Sequence, residues 1–337
     1  AFGVRPAQIM SIKELPGGLI NNTYLIHMKT LPPVILRVSP PSTGACAEER
    51  NLMRNECASQ PFLALVAYLL PQILMTDFTH QLLERDYMFQ TFLEGEQWGR
   101  IEKRLTPQEQ TGLWWQLGNI ARKIHAVKGT TFGLSMFGPY YSSWSLLLLE
   151  WFADLIRNLR AARLDTTDIR SLCEIIQTHA TYLDTMVSPS FLHGDLSPGN
   201  ILISRRQGKA EITGILDADW TSWGDPLAER CIFHLRRKTE RPEALAFWQA
   251  YNWPADTFET RFRLFIYQGK HLGEERLLQH RFQNHRAIQR SYRDMHIVLY
   301  SLRRLLYSAR SPHMSPDDLS GISSSLLSPG KGAQHYA

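Results

Sequence analysis

The chain has 337 residues, of which 44% are hydrophobic and 20% are charged. This composition is that of a globular protein with a sizeable core, and the length suggests two domains or lobes. The four cysteines are too sparse for a disulfide framework, and none are paired at metal-ligand spacing. The longest apolar run, residues 62–70, is too short to cross a membrane, so we expect a cytoplasmic protein without a membrane partner.

The formal net charge of +5 is unevenly distributed. Between Arg230 and Arg304 there are 15 Lys/Arg and 7 Asp/Glu. This excess is interpreted either as a solvated basic face or as an electrostatic preference for neutral or anionic partners. Nucleic-acid binding is disfavoured, because the basic residues are scattered and no nucleic-acid module signature is present.

The first ninety residues are predicted to form strands and one helix. Two β-rich runs, Thr23–Met28 and Val34–Val38, flank a turn with two prolines and indicate a hairpin. A helix is expected from about Glu48 to Leu70. A second strand pair is expected at Gln81–Leu83 and Asp86–Phe92.

The rest of the chain is predicted to be mainly helical. Thr106 is followed by Pro107 and by Glu109, which is the pattern of a capped helix start, and this helix is expected to reach about Val127. Further helices are expected near Ser143, over residues 166–186, and from residue 226 to about residue 308.

Three regions follow from this pattern. Residues 1–92 are expected to form a first lobe, and residues 93–307 a second lobe. Residues 308–337 include 8 Ser without periodic apolar spacing, which is typical of a disordered tail.

The segment between residues 191 and 217 carries the most informative pattern. Ile201–Ser204 and Glu211–Leu216 are predicted strands joined by a turn, and a hairpin returns the chain to its starting point. Asn200 precedes the first strand and Asp217 follows the second, so their side chains are expected to lie side by side. Asp195 lies in the loop that enters the hairpin.

Two carboxylates and an amide oxygen at one sheet edge suit Mg²⁺, which binds few protein oxygens together with substrate phosphates. The order of His193, Asp195 and Asn200 matches the H-x-D-x-x-x-x-N catalytic loop of kinases, with Asp217 as a later metal ligand. The alternative is a polar turn whose side chains cap strands or helices. The coincidence of all four residues with a hairpin of suitable length favours a phosphoryl-transfer site.

The two segments HGDLSPGN and ILDADWTSWGDPLAE resemble the aminoglycoside phosphotransferase and choline kinase-like family. The resemblance extends from about Leu15 to residue 300. It implies an α+β, protein-kinase-like fold in two lobes. The N-lobe would hold an antiparallel sheet and one helix, and the C-lobe would be mainly helical with a catalytic hairpin.

The same resemblance implies a role for each residue of the motifs. Asp195 would be the catalytic base, His193 would brace the loop, and Asn200 and Asp217 would bind magnesium. The implied cofactors are ATP, with GTP not excluded, and Mg²⁺. Structural roles are implied for Asp225, as a helix cap, and for His125, whereas Asp219 is expected either beside the metal site or solvated.

The expected nucleotide site has a strand and a helix as its framework. Arg37 lies on a predicted strand at the position where kinases carry Lys, and Arg can still bind phosphate oxygens. Its acidic partner is expected on the following helix. Glu56 resembles the family position best, with Glu48 and Glu49 as competitors.

Two backbone segments complete the expected nucleotide site. Gly17, Gly18 and Asn22 precede the first predicted hairpin and resemble the family's phosphate-covering loop, although two glycines alone are also typical of a simple turn. Backbone contacts to adenine are expected from Gln90, Thr91 and Phe92.

The expected activity is ATP- and Mg²⁺-dependent phosphoryl transfer to a hydroxyl of a small molecule. A protein substrate is disfavoured, because only seven residues separate Asp217 from Asp225 and no A-P-E motif follows. The basic C-terminal half favours a neutral or anionic metabolite, sugar or antibiotic over a polycation. A nucleotide-binding pseudokinase is the main alternative, because Arg37 replaces the usual Lys, and a basic nucleic-acid-binding protein is a third. The sequence gives no indication of oligomeric state.

Overall fold

The structure is a computed structural model that describes residues 5–16, 20–41, 51–236 and 241–310. Its N-terminal part is an antiparallel sheet of five strands in the order β1-β2-β3-β5-β4. These strands are β1 (Ile9–Glu14), β2 (Asn22–Met28), β3 (Val34–Val38), β4 (Ile73–Asp77) and β5 (Tyr87–Thr91).

The sheet confirms the first predicted hairpin and corrects the second. β2 and β3 cover Thr23–Met28 and Val34–Val38, with Leu25 opposite Ile35. β5 pairs with Ile73–Asp77, whereas the strand predicted at Gln81–Leu83 is wrong, because those residues form exposed bends. β1 was not predicted, since all six of its residues are exposed and give no alternating pattern.

The helix predicted from about Glu48 to Leu70 is split in two. Helix α1 spans Leu52–Ser59, and a 3-10 helix follows over Gln60–Leu69. Pro61 has no N–H to donate and its ring clashes with an α-helical turn, which explains the change of helix type. Residues 48–50 lie outside the described residues.

The C-terminal part is mainly helical. Its helices are α2 (Trp98–Ile101), α3 (Pro107–His125), α4 (Trp144–Ala161), α5 (Thr167–Thr178), α6 (Ala180–Leu183), α7 (Arg230–Arg236), α8 (Pro242–Tyr251), α9 (Phe258–Arg281) and α10 (His285–Arg310). Thr106 and Glu109 form the predicted capping box of α3. The helix expected over residues 166–186 is instead α5 and α6, which meet at His179.

Six short strands lie among these helices in two further sheets, ordered β10-β9-β6 and β7-β11-β8. They are β6 (Glu96–Gln97), β7 (Gly133–Leu134), β8 (Ser190–Leu192), β9 (Ile201–Arg206), β10 (Lys209–Ile215) and β11 (Ser222–Gly224). β9 and β10 confirm the predicted hairpin with a tighter turn, because Arg206 pairs directly with Lys209. Gln207 and Gly208 both have positive φ, as a two-residue I′ turn requires.

Helix α3 packs along the outer edge of this hairpin. The side-chain amide of Gln116 donates to the carbonyl of Ala210 at 3.1 Å and accepts from the N–H of Ile212 at 2.9 Å. Gln116 therefore occupies backbone groups of β10 that a further strand would otherwise bind.

The helices enclose one large apolar core. Trp98, Trp114 and Trp144 are almost fully buried in it. Among the described helices, none is long and apolar enough to cross a bilayer. The predicted tail, residues 308–337, overlaps the end of α10 as far as Arg310, and residues 311–337 lie outside the described part of the chain.

Candidate active site

The loop between β8 and β9 carries the predicted catalytic residues. It runs from His193 to Asn200 and ends in a turn of 3-10 helix. The Nδ2 group of Asn200 donates to Oδ2 and to the backbone oxygen of Asp195, at 2.8 and 3.0 Å. The backbone N–H of Leu216 donates to the carbonyl of Asn200 at 2.8 Å, which places Asp217 beside Asn200. The structure thus brings Asp195, Asn200 and Asp217 together at one end of the hairpin.

The carboxylate of Asp195 is partly enclosed by protein. Its side chain is 35% exposed, and Nε of Arg230 lies 3.4 Å from Oδ1. Burial raises the pKa of Asp195 to about 6, against the lowering effects of Arg230 and of the hydrogen bond from Asn200. A carboxylate with such a pKa accepts a proton more readily than an ordinary Asp, as a general base must.

Arg230 is shared between Asp195 and a second acid. Its Nη1 lies 3.3 Å from Oε2 of Glu274, which also pairs with Lys270 and with Nδ1 of His271. Burial alone would raise the pKa of Glu274, but Lys270, His271 and Arg230 hold it well below its usual range. Arg230 and Lys270 therefore place two cations beside Asp195, together with the ionised carboxylate of Glu274.

Asp217 has an unusual backbone conformation. Its φ of 58° lies in the left-handed region, which costs free energy for a residue with a Cβ but which Asp adopts more readily than most residues. Its side chain is 47% exposed, and Oδ1 lies 3.1 Å from Nη2 of Arg37. The half-exposed carboxylate is thus held toward the interior by one contact.

Among the described residues, no group of three or more His, Cys, Asp or Glu side chains is arranged to hold a metal ion. The candidate oxygen ligands at this end of the hairpin are the carboxylate of Asp217 and Oδ1 of Asn200, whose Nδ2 is bound to Asp195. Mg²⁺ is usually held by one or two protein oxygens together with substrate phosphates. The residues present therefore fit a Mg²⁺–nucleotide complex better than a metal held by protein alone.

Arg37 on β3 joins three acids. It is buried and pairs with Glu56 on α1 through Nη1, while Nη2 lies 3.1 Å from Asp217 and 3.4 Å from Asp219. Burial alone would lower the pKa of Arg37, but these carboxylates raise it, so the guanidinium stays charged. Oε1 of Glu56 also accepts from Nε2 of Gln90 at 2.9 Å. The N-terminal sheet, α1 and the segment after β10 thus meet at one cation.

Asp219 is buried against Arg37 and is not solvated. Its side chain is only 7% exposed, and burial raises its pKa well above the usual range, against the lowering effect of Arg37. Of the two environments expected for Asp219, the solvated one is wrong, because the side chain is buried beside Arg37.

Glu229, which sequence reasoning missed, binds the backbone of the loop that runs from His193 to Asn200. Its carboxylate accepts from the backbone N–H groups of His193 at 2.9 Å, Gly194 at 3.3 Å and Leu196 at 3.3 Å. Burial alone would raise the pKa of Glu229, but its contact with His125 and these surroundings lower it to about 2. The only sequence signal was its place four residues after Asp225, where an acid at a helix start is commonly solvated.

The imidazoles of His193 and His125 are both buried. Burial lowers the pKa of His193, against the opposite effect of Glu229, so its ring is neutral near pH 7. Nδ1 of His125 lies 2.8 Å from the hydroxyl of Tyr251, and Nε2 lies 3.4 Å from Glu229. His125 therefore contacts the acid that holds the loop and has a structural role.

Asp225 caps the 3-10 helix that begins at Pro226, because its Oδ1 accepts from the N–H of Leu227 at 3.0 Å.

Gly194 lies at a point where two loops touch. Its φ is +83°, and a Cβ added to it would lie 2.1 Å from the carbonyl oxygen of Trp220. Only glycine fits between Asp195 and the segment that follows Asp217 without moving one of them.

Among the described residues, the contacts of the other predicted nucleotide residues lie within the N-terminal sheet or on α1. The exposed side chain of Asn22 donates to Glu14 at 3.2 Å. Gln90 on β5 pairs with both β3 and β4. The N–H of Thr91 donates to the carbonyl of Gln72. Phe92 follows β5, and its side chain is 36% exposed. Adenine contacts there remain a prediction. Gly17 and Gly18, like Glu48 and Glu49, lie outside the described residues.

Solved structures share this fold at low sequence identity. A thermostable mutant of aminoglycoside phosphotransferase APH(4)-Ia, in ternary complex with ADP and hygromycin B, has 16% identity and a TM-score of 0.61, with 87% of this chain and 94% of that chain covered. The gentamicin complex of APH(2″)-IIa has 16% identity and a TM-score of 0.59, covering 85% and 91%. The GDP complex of an aminoglycoside 2′-phosphotransferase IIIa mutant has 18% identity and a TM-score of 0.55, covering 90% and 94%. These likenesses confirm the predicted α+β, protein-kinase-like fold.

The comparison by sequence is more specific. No curated protein matches the chain. The family model described as the phosphotransferase enzyme family matches residues 11–265, which include the catalytic loop, the hairpin and the paired Arg37 and Glu56. With well over half of its length matched, the chain belongs to the phosphotransferase enzyme family.

Proposed function

We propose that this phosphotransferase moves the γ-phosphate of ATP, bound with Mg²⁺, to a hydroxyl group of a small molecule. The observation that supports it most is the hydrogen-bonded placement of Asn200 between Asp195 and the segment of Asp217. A base and two oxygen ligands at one point suit a reaction that needs positioning and charge stabilisation more than covalent chemistry. GTP remains an alternative donor.

In this proposal Asp195 orients the acceptor hydroxyl and takes its proton. The acceptor oxygen forms a bond to the γ-phosphorus, the bond from that phosphorus to the bridging oxygen breaks, and ADP leaves. Asn200 and Asp217 would hold Mg²⁺, which offsets the charge of the phosphates. Glu56 keeps Arg37 in place, and Nη2 of Arg37 lies 3.1 Å from the carboxylate of Asp217. His193 acts through its backbone, which Glu229 holds.

The proposed acceptor is neutral or anionic. Arg230 touches the base and is 22% exposed, and Lys270 lies on the same cluster with its Nζ 4.7 Å from the ring centroid of Trp151. A polycation brought to Asp195 would be repelled by these two cations. Two of the solved structures are complexes with hygromycin B and gentamicin, whereas we propose a neutral or anionic metabolite, sugar or antibiotic here.

We also propose residues 1–92 as the nucleotide-binding lobe and residues 93–307 as the catalytic and acceptor-binding lobe of a cytoplasmic enzyme. The position of Arg37 and Glu56 in the first region, and of Asp195 in the second, supports this division. Neither a nucleic acid nor a membrane is proposed as a partner.

A screen for ADP release tests the proposal. The purified chain is incubated with Mg-ATP and three acceptor sets: neutral hydroxylated compounds, carboxylate- or phosphate-bearing ones, and kanamycin-type polycations. Asp195→Ala serves as the control for background hydrolysis. We expect turnover in the first two sets. Efficient phosphorylation of the polycations without turnover of the others would refute the acceptor class.

A nucleotide-binding pseudokinase with a regulatory role is the second candidate. The observation that favours it is the contact of Arg37 with Asp217, because that carboxylate is one of the two metal ligands in our proposal. The two functions differ in one measurement: Mg²⁺-dependent turnover of ATP with any acceptor supports the enzyme. Nucleotide binding without such turnover supports the pseudokinase.

A further inference from the structure

Asn55 on α1 is a polar side chain buried at the contact between the N-terminal and C-terminal parts of the protein. It is 1% exposed and adjoins Glu56, the partner of Arg37. Its neighbour on the same helix, Ser59, is also fully buried, but its hydroxyl donates only to the carbonyl of Glu56 within α1. The hydrogen bond of Ser59 therefore stays within α1, whereas those of Asn55 leave the helix.

Among the described residues, every hydrogen bond of the Asn55 amide reaches across to the C-terminal part. Nδ2 donates to the carbonyl of Asp219 at 2.9 Å, and to the carbonyl and hydroxyl of Thr221 at 3.1 and 2.9 Å. Oδ1 accepts from the hydroxyl of Ser135 at 2.9 Å and from the N–H of Met136 at 3.3 Å. The orientation of the amide is fixed by its partners, because carbonyls only accept and a backbone N–H only donates.

These contacts link the two halves of the candidate nucleotide site. On one side, Asn55 precedes the acid that orients Arg37. On the other, its partners Asp219 and Thr221 follow Asp217 within four positions. Arg37 reaches the side chain of Asp219 while Asn55 binds its backbone, so the same residue is held twice from the N-terminal part.

We propose that Asn55 is a positioning residue that ties α1 to the segment of residues 217–221. It fixes the Glu56–Arg37 pair and Asp217 relative to each other before nucleotide binds. The inference rests on the proposed function for its effect on turnover, but the hydrogen bonds of Asn55 are all between protein groups.

Three variants of the full chain test this inference. Asn55→Asp keeps the size and the acceptor oxygen but loses the donor that the two carbonyls need, and Asn55→Ala removes both. Ser59→Ala is the matched control, because it deletes a buried hydrogen bond of α1 that does not leave the helix. The readouts are amide hydrogen exchange without nucleotide, binding of Mg-ADP by calorimetry, and the KM for Mg-ATP against kcat.

We expect both Asn55 variants to exchange the amides of residues 217–223 and of Met136 about tenfold faster than the parent. Loss of one buried partner group corresponds to roughly a tenfold to hundredfold change in an equilibrium, so Mg-ADP binding should weaken and the KM for Mg-ATP should rise by that factor. Ser59→Ala should leave all three readouts near the parental values. Unchanged exchange and KM in the Asn55 variants, with only a lower melting temperature, would overturn the inference.

A milder variant covers the case in which the Asn55 variants do not fold. Ser135→Ala removes one of the two donors to Oδ1, and we expect a few-fold rise in exchange at Met136 and in the KM for Mg-ATP. No change in either would also overturn the inference. If the parent protein turns over no acceptor, the proposed function fails while hydrogen exchange still decides the role of Asn55.

Discussion

Alanine at Gly194 would test how tightly the loop of Asp195 and the segment of residues 217–221 are packed. The added Cβ would lie 2.1 Å from the carbonyl oxygen of Trp220, where ordinary van der Waals contact begins at 3.4 Å. Either that carbonyl or the loop has to move by about 1 Å, and a misplacement of this size costs on the order of 10²-fold in rate. The left-handed φ adds roughly 1–2 kcal/mol, and the steric conflict roughly 1–3 kcal/mol, to the loss of stability.

Gly208 in the β9–β10 turn provides the matched control. Its φ of +76° is as unfavourable for alanine, but a Cβ there would meet nothing within 4 Å. Gly208→Ala should therefore lose only the conformational part in chemical denaturation and keep its kcat. We expect Gly194→Ala to lose more stability and about 10²-fold in kcat. Equal kcat values for the two variants would show that the contact with Trp220 does not position Asp195.

Three further predictions follow from the site. Asp195→Ala should lower kcat roughly 10²–10⁴-fold, while calorimetry still detects Mg-ATP binding. Asp217→Ala should weaken that binding too. Equal, small effects of both substitutions would contradict the assigned roles. Arg37→Lys cannot bridge its acids in the same geometry, so thermal or urea unfolding should show a loss of about 2 kcal/mol, and an unchanged stability would argue against the bridge. The pKa of Glu229 is lowered on folding to about 2, so its stabilisation of roughly 3 kcal/mol is present above its ordinary pKa and is lost as the pH falls toward 2. The stability difference between the parent and Glu229→Gln should accordingly shrink between pH 5 and pH 2, and a constant difference would refute this.

The core of the site was predictable because its residues are close in sequence. Asp195 and Asn200 share one loop, and a hairpin with a short turn fixes where Asp217 returns. Glu229 accepts from a backbone group 36 positions earlier, and Asn55 binds backbone more than 160 positions later. Neither pairing leaves a local pattern, because the sequence does not distinguish a buried Glu or Asn from a solvated one.

The same distinction applies to the fold. β3 was predictable because Val34–Val38 is a β-branched run that lies between two neighbours in the sheet. β1 forms through its partner β2 alone and has no buried face to show in the sequence. Pro61 indicated a break in the helix that the apolar run after it concealed, and only Leu63, Val66 and Leu69 of that 3-10 helix are buried.

The amide of Gln116 has a consequence for solubility. By occupying the carbonyl of Ala210 and the N–H of Ile212, it closes the outer margin of a small sheet against strands of other molecules. A side chain too short to reach, as in Gln116→Ala, would reopen a ready template for intermolecular pairing. The protein would then be expected to self-associate as its concentration rises, even with an intact reaction centre.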